Sequence, residues 1–240
     1  MNSLLILQAA VAEAATEMAG DIMVEGIMPT QAEMNIFDLA LKGGWMMIPL
    51  LLLSFFAVYI FVVRVKTIRR AGKEDVTFMN RIKDYIHEGK IDSALNLCRQ
   101  ENTPSARMIE KGISRLGRPM NDVLVAIENV GNIEVAKLEK GLVWMATIAG
   151  GGPMIGFLGT VTGMVRAFFD MANAGANVDI TLLSGGIYEA LVTTVAGLIV
   201  GIIALFAYNY LVAQVSEVVN KMETRTMDFL DLLNEPSNKI

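Results

Sequence analysis

The stretch GGGPMIGFLGTVTGMV, residues 150–165, is apolar enough to lie in a membrane, yet it contains six glycines, a proline and two threonines. A helix that only anchors a protein gains nothing from glycine and proline, which weaken helices. Small residues about four positions apart lie on one side of a helix and let a neighbouring backbone approach closely. This spacing occurs at Gly152, Gly156, Gly159 and Gly163. We therefore predict that this face packs tightly against another helix.

The composition indicates a membrane protein, because 53% of the residues are hydrophobic, more than in ordinary soluble domains. The hydrocarbon core of a bilayer is about 30 Å thick and requires about 20 apolar residues of helix. Three almost uncharged segments reach or approach this length. We predict an all-α integral membrane protein with transmembrane helices at residues 44–63, 142–165 and 187–213.

Basic residues indicate the orientation of these spans, because loops rich in Lys and Arg are retained on the cytoplasmic side. Lys42 is the single basic residue before the first span, whereas five basic residues occur in the ten residues 64–73 that follow it. We therefore predict an external N-terminus, with residues 1–43 forming an amphipathic leader on the outer surface. The same rule places the link at residues 166–186 outside and the C-terminal helix and tail at residues 214–240 in the cytoplasm.

The predicted cytoplasmic domain, residues 64–141, is rich in charges of both signs. Its apolar residues recur at helical spacing, and the pattern continues directly into the second span. We therefore predict long cytoplasmic helical extensions, with one helix entering the second span without a break or nearly so. The charged side chains are expected to form a solvated surface, with interhelical ion pairs as a minor addition.

The sequence contains little that catalysis or metal binding would use. One histidine, His87, and one cysteine, Cys98, are too few for a disulfide or a His/Cys metal cluster. The glycine-rich stretch lacks the lysine of a phosphate-binding loop. We therefore expect no catalytic residue, no cofactor, no metal site and no nucleic-acid partner.

Four threonines bring hydroxyls to membrane depth in two of the predicted spans: Thr160, Thr162, Thr193 and Thr194. Two interpretations are open for each of them. The hydroxyl bonds a carbonyl of its own helix three or four residues back, or it contributes to a polar interior between helices. The occurrence of four hydroxyls in two neighbouring spans favours the polar interior.

Glu189 stands near the outer end of the third span. A carboxylate beside a long apolar segment is costly to ionise in hydrocarbon, so such residues usually face a cavity or a partner and often mark an ion or proton path. The alternative is a carboxylate that is wetted at the membrane interface. Glu189 is therefore a candidate for a proton pathway.

Four motifs stand out in the second and third spans: PMIGFLGTVTG at residues 153–163, GIYEALVTT at residues 186–194, the AGL that begins at Ala196 and the YNY that begins at Tyr208. Together they resemble the motifs of the MotA/TolQ/ExbB proton-channel family. The resemblance covers the three spans, their order and the large cytoplasmic insertion. Three spans favour the ExbB/TolQ branch over the MotA proteins, which have four. One departure is GII at residues 201–203, where the family commonly has a proline.

The resemblance implies a bacterial inner-membrane protein that forms a ring, a homopentamer in related motors, around two copies of a single-span partner of the ExbD or TolR kind. That partner carries the membrane aspartate that takes up the proton, and the three spans of this chain contain no aspartate. By the same resemblance, Thr160 and Thr194 line the central pore, Glu189 is the carboxylate at its end, and the glycine face closes contacts between subunits. The implied function couples the proton-motive force, through a TonB-like protein, to outer-membrane transport.

Other functions remain open at the level of sequence. Within the family, the chain could serve envelope maintenance, as TolQ proteins do, or a gliding-type motor. From a different class, the small-residue faces could assemble a membrane scaffold that conducts no protons. Proton flux measured with and without the partner distinguishes the channel from the scaffold, and neighbouring genes distinguish the motors.

Overall fold

Helices make up nearly all of the structure. The computed structural model describes residues 43–73, 75, 77–173 and 180–234. Within these residues no β-strand occurs, which confirms the predicted all-α fold class. Most of the predicted leader, part of the external link and the last residues of the tail lie outside the described part of the chain. The described helices, numbered in chain order, are α1 (Met47–Ala71), α2 (Phe78–His87), α3 (Ile91–Glu101), α4 (Pro104–Ile113), α5 (Met120–Glu139), α6 (Leu142–Asn173) and α7 (Ile180–Asn234).

Three of these helices, α1, α6 and α7, contain stretches long and apolar enough to cross a membrane, as predicted. α1 has 25 residues, about 38 Å at 1.5 Å per residue, which exceeds the thickness of the hydrocarbon core. Large apolar side chains point away from the protein, among them Phe55 on α1 and Phe206 on α7, which are 73% and 72% exposed. Such surfaces suit lipid or another subunit, since soluble monomers rarely expose large apolar patches.

α6 and α7 extend well beyond the predicted spans. α6 continues to Asn173 and α7 begins at Ile180, so the two helices take up most of the link predicted at residues 166–186. α7 then runs for 55 residues to Asn234 and joins the third span to the predicted tail in a single helix. No glycine or proline interrupts residues 202–234. Buried residues recur along it at helical spacing, including Leu211, Val215, Val218, Met222 and Phe229.

The helix that was predicted to enter the second span is broken between α5 and α6. Gly141 has a φ of +92°, a conformation that residues with a side chain rarely adopt. A Cβ at Gly141 would lie 3.0 Å from Arg64 Nε. The Arg64 guanidinium donates hydrogen bonds to the carbonyl oxygens of Lys137 (3.2 Å) and Leu138 (3.4 Å), in the last turn of α5. The first basic residue after the α1 span therefore holds the corner at which α5 turns into α6.

The short helices α2 to α5 pack with the distal part of α7 into a bundle outside the membrane spans. Gly112 of α4 lies where the helices approach closely, because a Cβ there would lie 2.6 Å from the Phe229 ring and 2.8 Å from Ile127 Cδ1. The centre of the bundle contains five fully buried apolar side chains: Phe78, Ile82, Ile109, Ile127 and Phe229. This core fixes the bundle against the end of the same helix that forms the third span.

Candidate functional site

α6 and α7 meet along a seam of small residues, which is the framework of the candidate site. A Cβ added to Gly156 would lie 3.0 Å from Thr193 O and 3.1 Å from Gly197 Cα, so the two backbones are in direct contact. Any larger residue at this position would separate the helices. The α6 side of the seam consists of the four glycines that the sequence singled out: Gly152, Gly156, Gly159 and Gly163.

The α7 side of the seam is also built from small residues. A Cβ added to Gly197 would lie 2.6 Å from Gly152 O, and one added to Gly163 would lie 3.1 Å from Ala190 Cβ. We expected the glycine face to lie between subunits, whereas the structure places α7 of the same chain against it. The reason is that α7 carries its own small residues at matching positions, so the two helices pair within the chain.

Two of the four threonines connect the helices across the seam. Thr160 Oγ1 of α6 and Thr194 Oγ1 of α7 form a hydrogen bond with each other. Thr194 Oγ1 also lies 3.1 Å from Gly156 O, and Thr160 Oγ1 lies 3.4 Å from Ala190 O. Each hydroxyl has one proton, so the arrangement is satisfied when Thr160 donates to Thr194 and Thr194 donates to Gly156 O. The pair is half-buried and forms a polar bridge at membrane depth.

The other two threonines bond to their own helices. Thr162 Oγ1 donates to Leu158 O at 2.9 Å, and Thr193 Oγ1 donates to Ala190 O at 2.8 Å. Thr193 is buried in the seam, where its side chain packs on Gly159. Thr162 and Thr193 are therefore locally bonded, whereas Thr160 combines both interpretations, because its Oγ1 meets Thr194 and also lies 3.3 Å from Gly156 O of its own helix.

Glu189 lies in the N-terminal part of α7 and faces the start of α1. A Cβ added to Gly44 would lie 2.7 Å from Glu189 Cδ and closer still to one carboxylate oxygen, so the carboxylate occupies the space beside this glycine. Gly44 has a φ of +63°, which also favours glycine. The neighbouring Gly43 faces Val192 in the same way, at 3.3 Å from an added Cβ. The two glycines thus let α7 approach the first turn of α1.

Glu189 and the threonine pair lie on different sides of α7. Each residue of an α-helix is rotated by about 100° from the one before, so Glu189 and Thr194 are separated by about 140° around the axis. The seam residues Ala190 and Thr193 lie between them. The structure therefore brings Thr160 and Thr194 together and places Glu189 on the flank that faces α1.

Gly44 is a residue of the site that sequence reasoning missed. The only signal was the Gly43–Gly44 pair directly before the first span, and nothing in that pattern indicates a contact with α7. The first turn of α1 contains no acidic residue of its own, and no side chain caps it. The Glu189 side chain thus lies beside the start of a helix whose first turn has no acidic residue.

A second group that the sequence did not single out lies in the bundle. Glu134 of α5 is buried, and its two oxygens accept hydrogen bonds from Arg107 Nη2 (2.6 Å) and Lys137 Nζ (2.7 Å). Burial by itself would raise the pKa of Glu134, but the hydrogen bonds and charges of Arg107 and Lys137 outweigh burial and lower it. Charges in this region were expected mainly on a solvated surface, and Glu134 is an exception because it joins α4 to α5.

The remaining sequence candidates show no reactive chemistry in the described residues. Burial, with a smaller contribution from the charge of Glu110, raises the pKa of the Cys98 thiol to about 12, so it remains protonated and unreactive at neutral pH. Between residues 43 and 234, as far as they are described, no three His, Cys, Asp or Glu side chains come together as metal ligands.

Comparison with known proteins places the seam and its flanks inside a matched region. Residues 100–224, just over half of the chain, match the MotA/TolQ/ExbB proton channel family. The chain is 31% identical to the Tol-Pal system protein TolQ of Haemophilus influenzae, over 83% of this chain and 92% of that protein. It is 28% identical to the biopolymer transport protein ExbB of Neisseria meningitidis, over 68% of this chain and 78% of that protein.

A third relative is matched over a smaller part of the chain. The chain is 30% identical to a putative biopolymer transport protein ExbB homolog of Methanothermobacter thermautotrophicus, over 59% of this chain. The alignment spans only 50% of that relative's own length.

Proposed function

Because this chain belongs to the MotA/TolQ/ExbB proton channel family, we propose that it forms the channel wall of a proton-driven motor in the bacterial inner membrane. It is a multi-pass membrane protein, and its family consists of proton channels rather than enzymes. The observation that carries the proposal is the Thr160–Thr194 pair. Two hydroxyls meet there from different helices inside a membrane-spanning seam and place a polar group at membrane depth.

The pair is suited to bind a carboxyl group that changes its protonation state. A proton that crosses a potential of about 100 mV releases about 2.3 kcal/mol, but a group must take it up and release it within the membrane. An ionised carboxylate needs hydrogen-bond donors and a protonated one needs an acceptor, and a threonine hydroxyl can serve as either. The apolar spans of this chain contain no aspartate. We propose that a single-span subunit of the ExbD or TolR kind supplies this carboxyl group.

A ring of several copies around that subunit is part of the proposal, with five copies in the arrangement that the resemblance implies. The α6–α7 seam supports it, because direct backbone contact makes the two helices a thin and rigid wall element. Large apolar side chains on the outside of this element remain available to neighbouring copies or lipid, including Phe157 of α6, which is 66% exposed. The pore-lining role of Thr160 and Thr194 belongs to this arrangement.

Glu189 serves the outer end of the pathway in this proposal. It enters from the α1 side of the seam, since its carboxylate lies beside Gly44. A carboxyl group in this position can exchange protons with the outside or accept a hydrogen bond from the moving partner. The five basic residues that follow the α1 span support an external N-terminus and a cytoplasmic C-terminus, and hence a periplasmic location for Glu189.

Outer-membrane transport through a TonB-like protein is the task that we propose for the motor. The relatives named biopolymer transport protein support this assignment. A second candidate is envelope maintenance of the Tol type, which the alignment with TolQ over 92% of that protein favours. Complementation of strains that lack one or the other motor distinguishes the two: restored growth on a TonB-dependent iron source supports the first, and restored detergent resistance supports the second.

Proton uptake by proteoliposomes tests the channel itself. Vesicles that contain this chain and an ExbD-like partner should take up protons when an inside-negative potential of about 100 mV is imposed. Vesicles that contain either protein alone should not. Co-purification of the two proteins shows that the complex has assembled. A complex that assembles but never conducts protons would be the scaffold, and the proposed channel function would be wrong.

A further inference from the structure

A polar cavity of about 270 Å³ opens where the end of α1 meets α4 and α5, away from the α6–α7 seam. Its lining contains three basic side chains and one acidic side chain, which leaves a formal net charge of +2. The polar residues that line it are Thr67, Arg70, Asn102, Arg107, Glu134 and Lys137.

The single carboxylate of the cavity is already occupied. Both oxygens of Glu134 accept hydrogen bonds, one from Arg107 Nη2 and one from Lys137 Nζ. Arg107 is held further by Asn102, because Arg107 Nη1 donates to the main-chain O and to the side-chain Oδ1 of Asn102, both at 2.7 Å. These contacts make the basic wall of the cavity rigid before any ligand arrives.

Two basic groups of the cavity have no acceptor among the residues that the structure describes. Arg107 Nε is buried and has no hydrogen-bond partner. Arg70 is exposed to solvent and forms no ion pair or side-chain hydrogen bond with the part of the chain that the structure describes. A buried N–H without an acceptor is costly, and charged donors are the costliest to leave unpaired. The unpaired Arg107 Nε and the net positive charge of the lining therefore favour an anionic acceptor.

The position of the cavity along the helices decides which anion can reach it. Thr67 lies four residues after Val63, the last residue of the uncharged α1 segment, and Leu138 lies four residues before Leu142 of the second span. At 1.5 Å per residue along α1, Thr67 lies about 6 Å and Arg70 about 10.5 Å beyond the hydrocarbon boundary. Headgroups occupy roughly the next 5–8 Å on each side of a bilayer. The near edge of the cavity, at Thr67, is thus at the depth of the headgroups, and the long side chain of Arg70 can reach back to that depth.

We propose that this cavity binds the phosphate group of an anionic phospholipid from the adjacent leaflet. Basic pockets at the cytoplasmic ends of transmembrane helices provide such sites. The phosphate accepts hydrogen bonds from Arg70 and Arg107 and links the end of α1 to α4 and α5. This inference does not depend on proton conduction by the seam, and the proposed orientation decides only which leaflet supplies the lipid.

Lipid binding to the purified full-length chain tests the proposal. Native mass spectrometry from detergent micelles would compare phosphatidylglycerol with phosphatidylcholine of the same acyl chains, and inorganic phosphate in a third arm. We expect preferential retention of phosphatidylglycerol by the wild type. Arg70→Gln should weaken that binding about fivefold, the effect of removing one basic group near an anionic headgroup, and Arg70→Glu should weaken it further.

Lys66→Gln is the matched control, because Lys66 belongs to the same basic run of α1, is exposed and does not line the cavity. It should leave the preference for phosphatidylglycerol unchanged. Equal losses in Lys66→Gln and Arg70→Gln would show general attraction to a basic surface and overturn the proposed site. Saturable binding of inorganic phosphate that depends on Arg70, without retention of phosphatidylglycerol, would show a site for a soluble phosphate and overturn the assignment to lipid.

Discussion

The Glu189 carboxylate occupies the space that the missing side chain of Gly44 leaves open at the start of α1. This contact joins the N-terminal parts of α1 and α7, on the flank of the seam that faces away from Thr194. Movement of Glu189 is therefore coupled to α1, a helix that otherwise presents mainly an apolar surface. The relationship makes α1 a participant in the outer end of the proposed pathway.

Gly44→Ala should displace the Glu189 carboxylate, because an added Cβ collides with it. We expect partner-dependent proton uptake to fall about as far as in Glu189→Gln, and the double variant to fall no further. A positive φ also costs an L-residue about 1–2 kcal/mol, whatever the space around it. Gly89→Ala controls for that strain, since Gly89 has a φ of +70° and no neighbouring atom within 4 Å of an added Cβ. Equal losses in the two alanine variants would mean that backbone strain, and not Glu189, accounts for the effect.

The hydroxyls of Thr160 and Thr194 should matter more than the shapes of these side chains. Serine keeps the hydroxyl, whereas valine keeps the shape and removes the bridge, so we expect near-normal proton uptake with serine. Loss of one hydrogen bond of about 1 kcal/mol corresponds to a decrease of about fivefold with valine. Thr162→Val is the matched control, because its hydroxyl bonds only carbonyls of α6. If the valine variants at positions 160 and 194 were fully active, the two hydroxyls would be unnecessary and the pair would be only a packing contact.

Titration of Glu189 is tested by two substitutions that affect different properties. Glutamine keeps the size and hydrogen bonding of the side chain but cannot exchange a proton, so Glu189→Gln should assemble with the partner and lose most proton-driven activity. Aspartate keeps the titratable group and shortens the side chain, so Glu189→Asp should retain part of the activity. Growth that requires proton-driven iron uptake measures activity, and co-purification of the partner measures assembly. Wild-type growth of the glutamine variant would show that titration at this position is dispensable.

The proposed topology is tested by single cysteines in a Cys98→Ser background. A cysteine at Asn177, in the external link, should react with a membrane-impermeant maleimide in intact cells whose outer membrane has been permeabilised. A cysteine at Ser114, between α4 and α5, should react only after the inner membrane is opened. Labelling in the reverse sense would invert the orientation that we propose for every loop.

Acid should loosen the bundle through Glu134. The pKa of Glu134 is lowered in the folded state, so its contribution to stability is present above the ordinary glutamate pKa of about 4.3 and is lost as the pH falls through the lowered value. Glu134→Gln should cost about 1.5–3 kcal/mol at neutral pH, because it removes the charged acceptor of Arg107 and Lys137. Thermal unfolding of the wild type and the variant measures both effects.

Glu139→Gln is the control for this prediction, since Glu139 lies on the same helix and is exposed. It should change the unfolding temperature little at any pH. A Glu134→Gln variant as stable as Glu139→Gln would show that solvent already screens the Glu134 contacts.

The sequence by itself determined the membrane spans, the all-α fold class and the family, because each of these depends on local properties. The length of an apolar segment and the spacing of its residues decide whether it can cross a bilayer as a helix. The same local pattern marked the glycine face and the four threonines as unusual. It did not show that the helix would break between α5 and α6. The break lies at Gly141, which has a positive φ, and Arg64 bonds the end of α5 beside it.

Tertiary structure alone decided which of these residues meet. Thr160 and Thr162 are equivalent in the sequence, but only Thr160 faces α7, and only Thr194 of the next pair reaches it. The glycine face of α6 packs against α7 of the same chain, and the Glu189 side chain of α7 lies beside Gly44 at the start of α1. Such contacts depend on the rotation of each helix about its axis and on the approach of segments distant in sequence. Side-chain packing across the whole molecule determines both the rotation of the helices and the approach of distant segments, so a local pattern of residues cannot predict them.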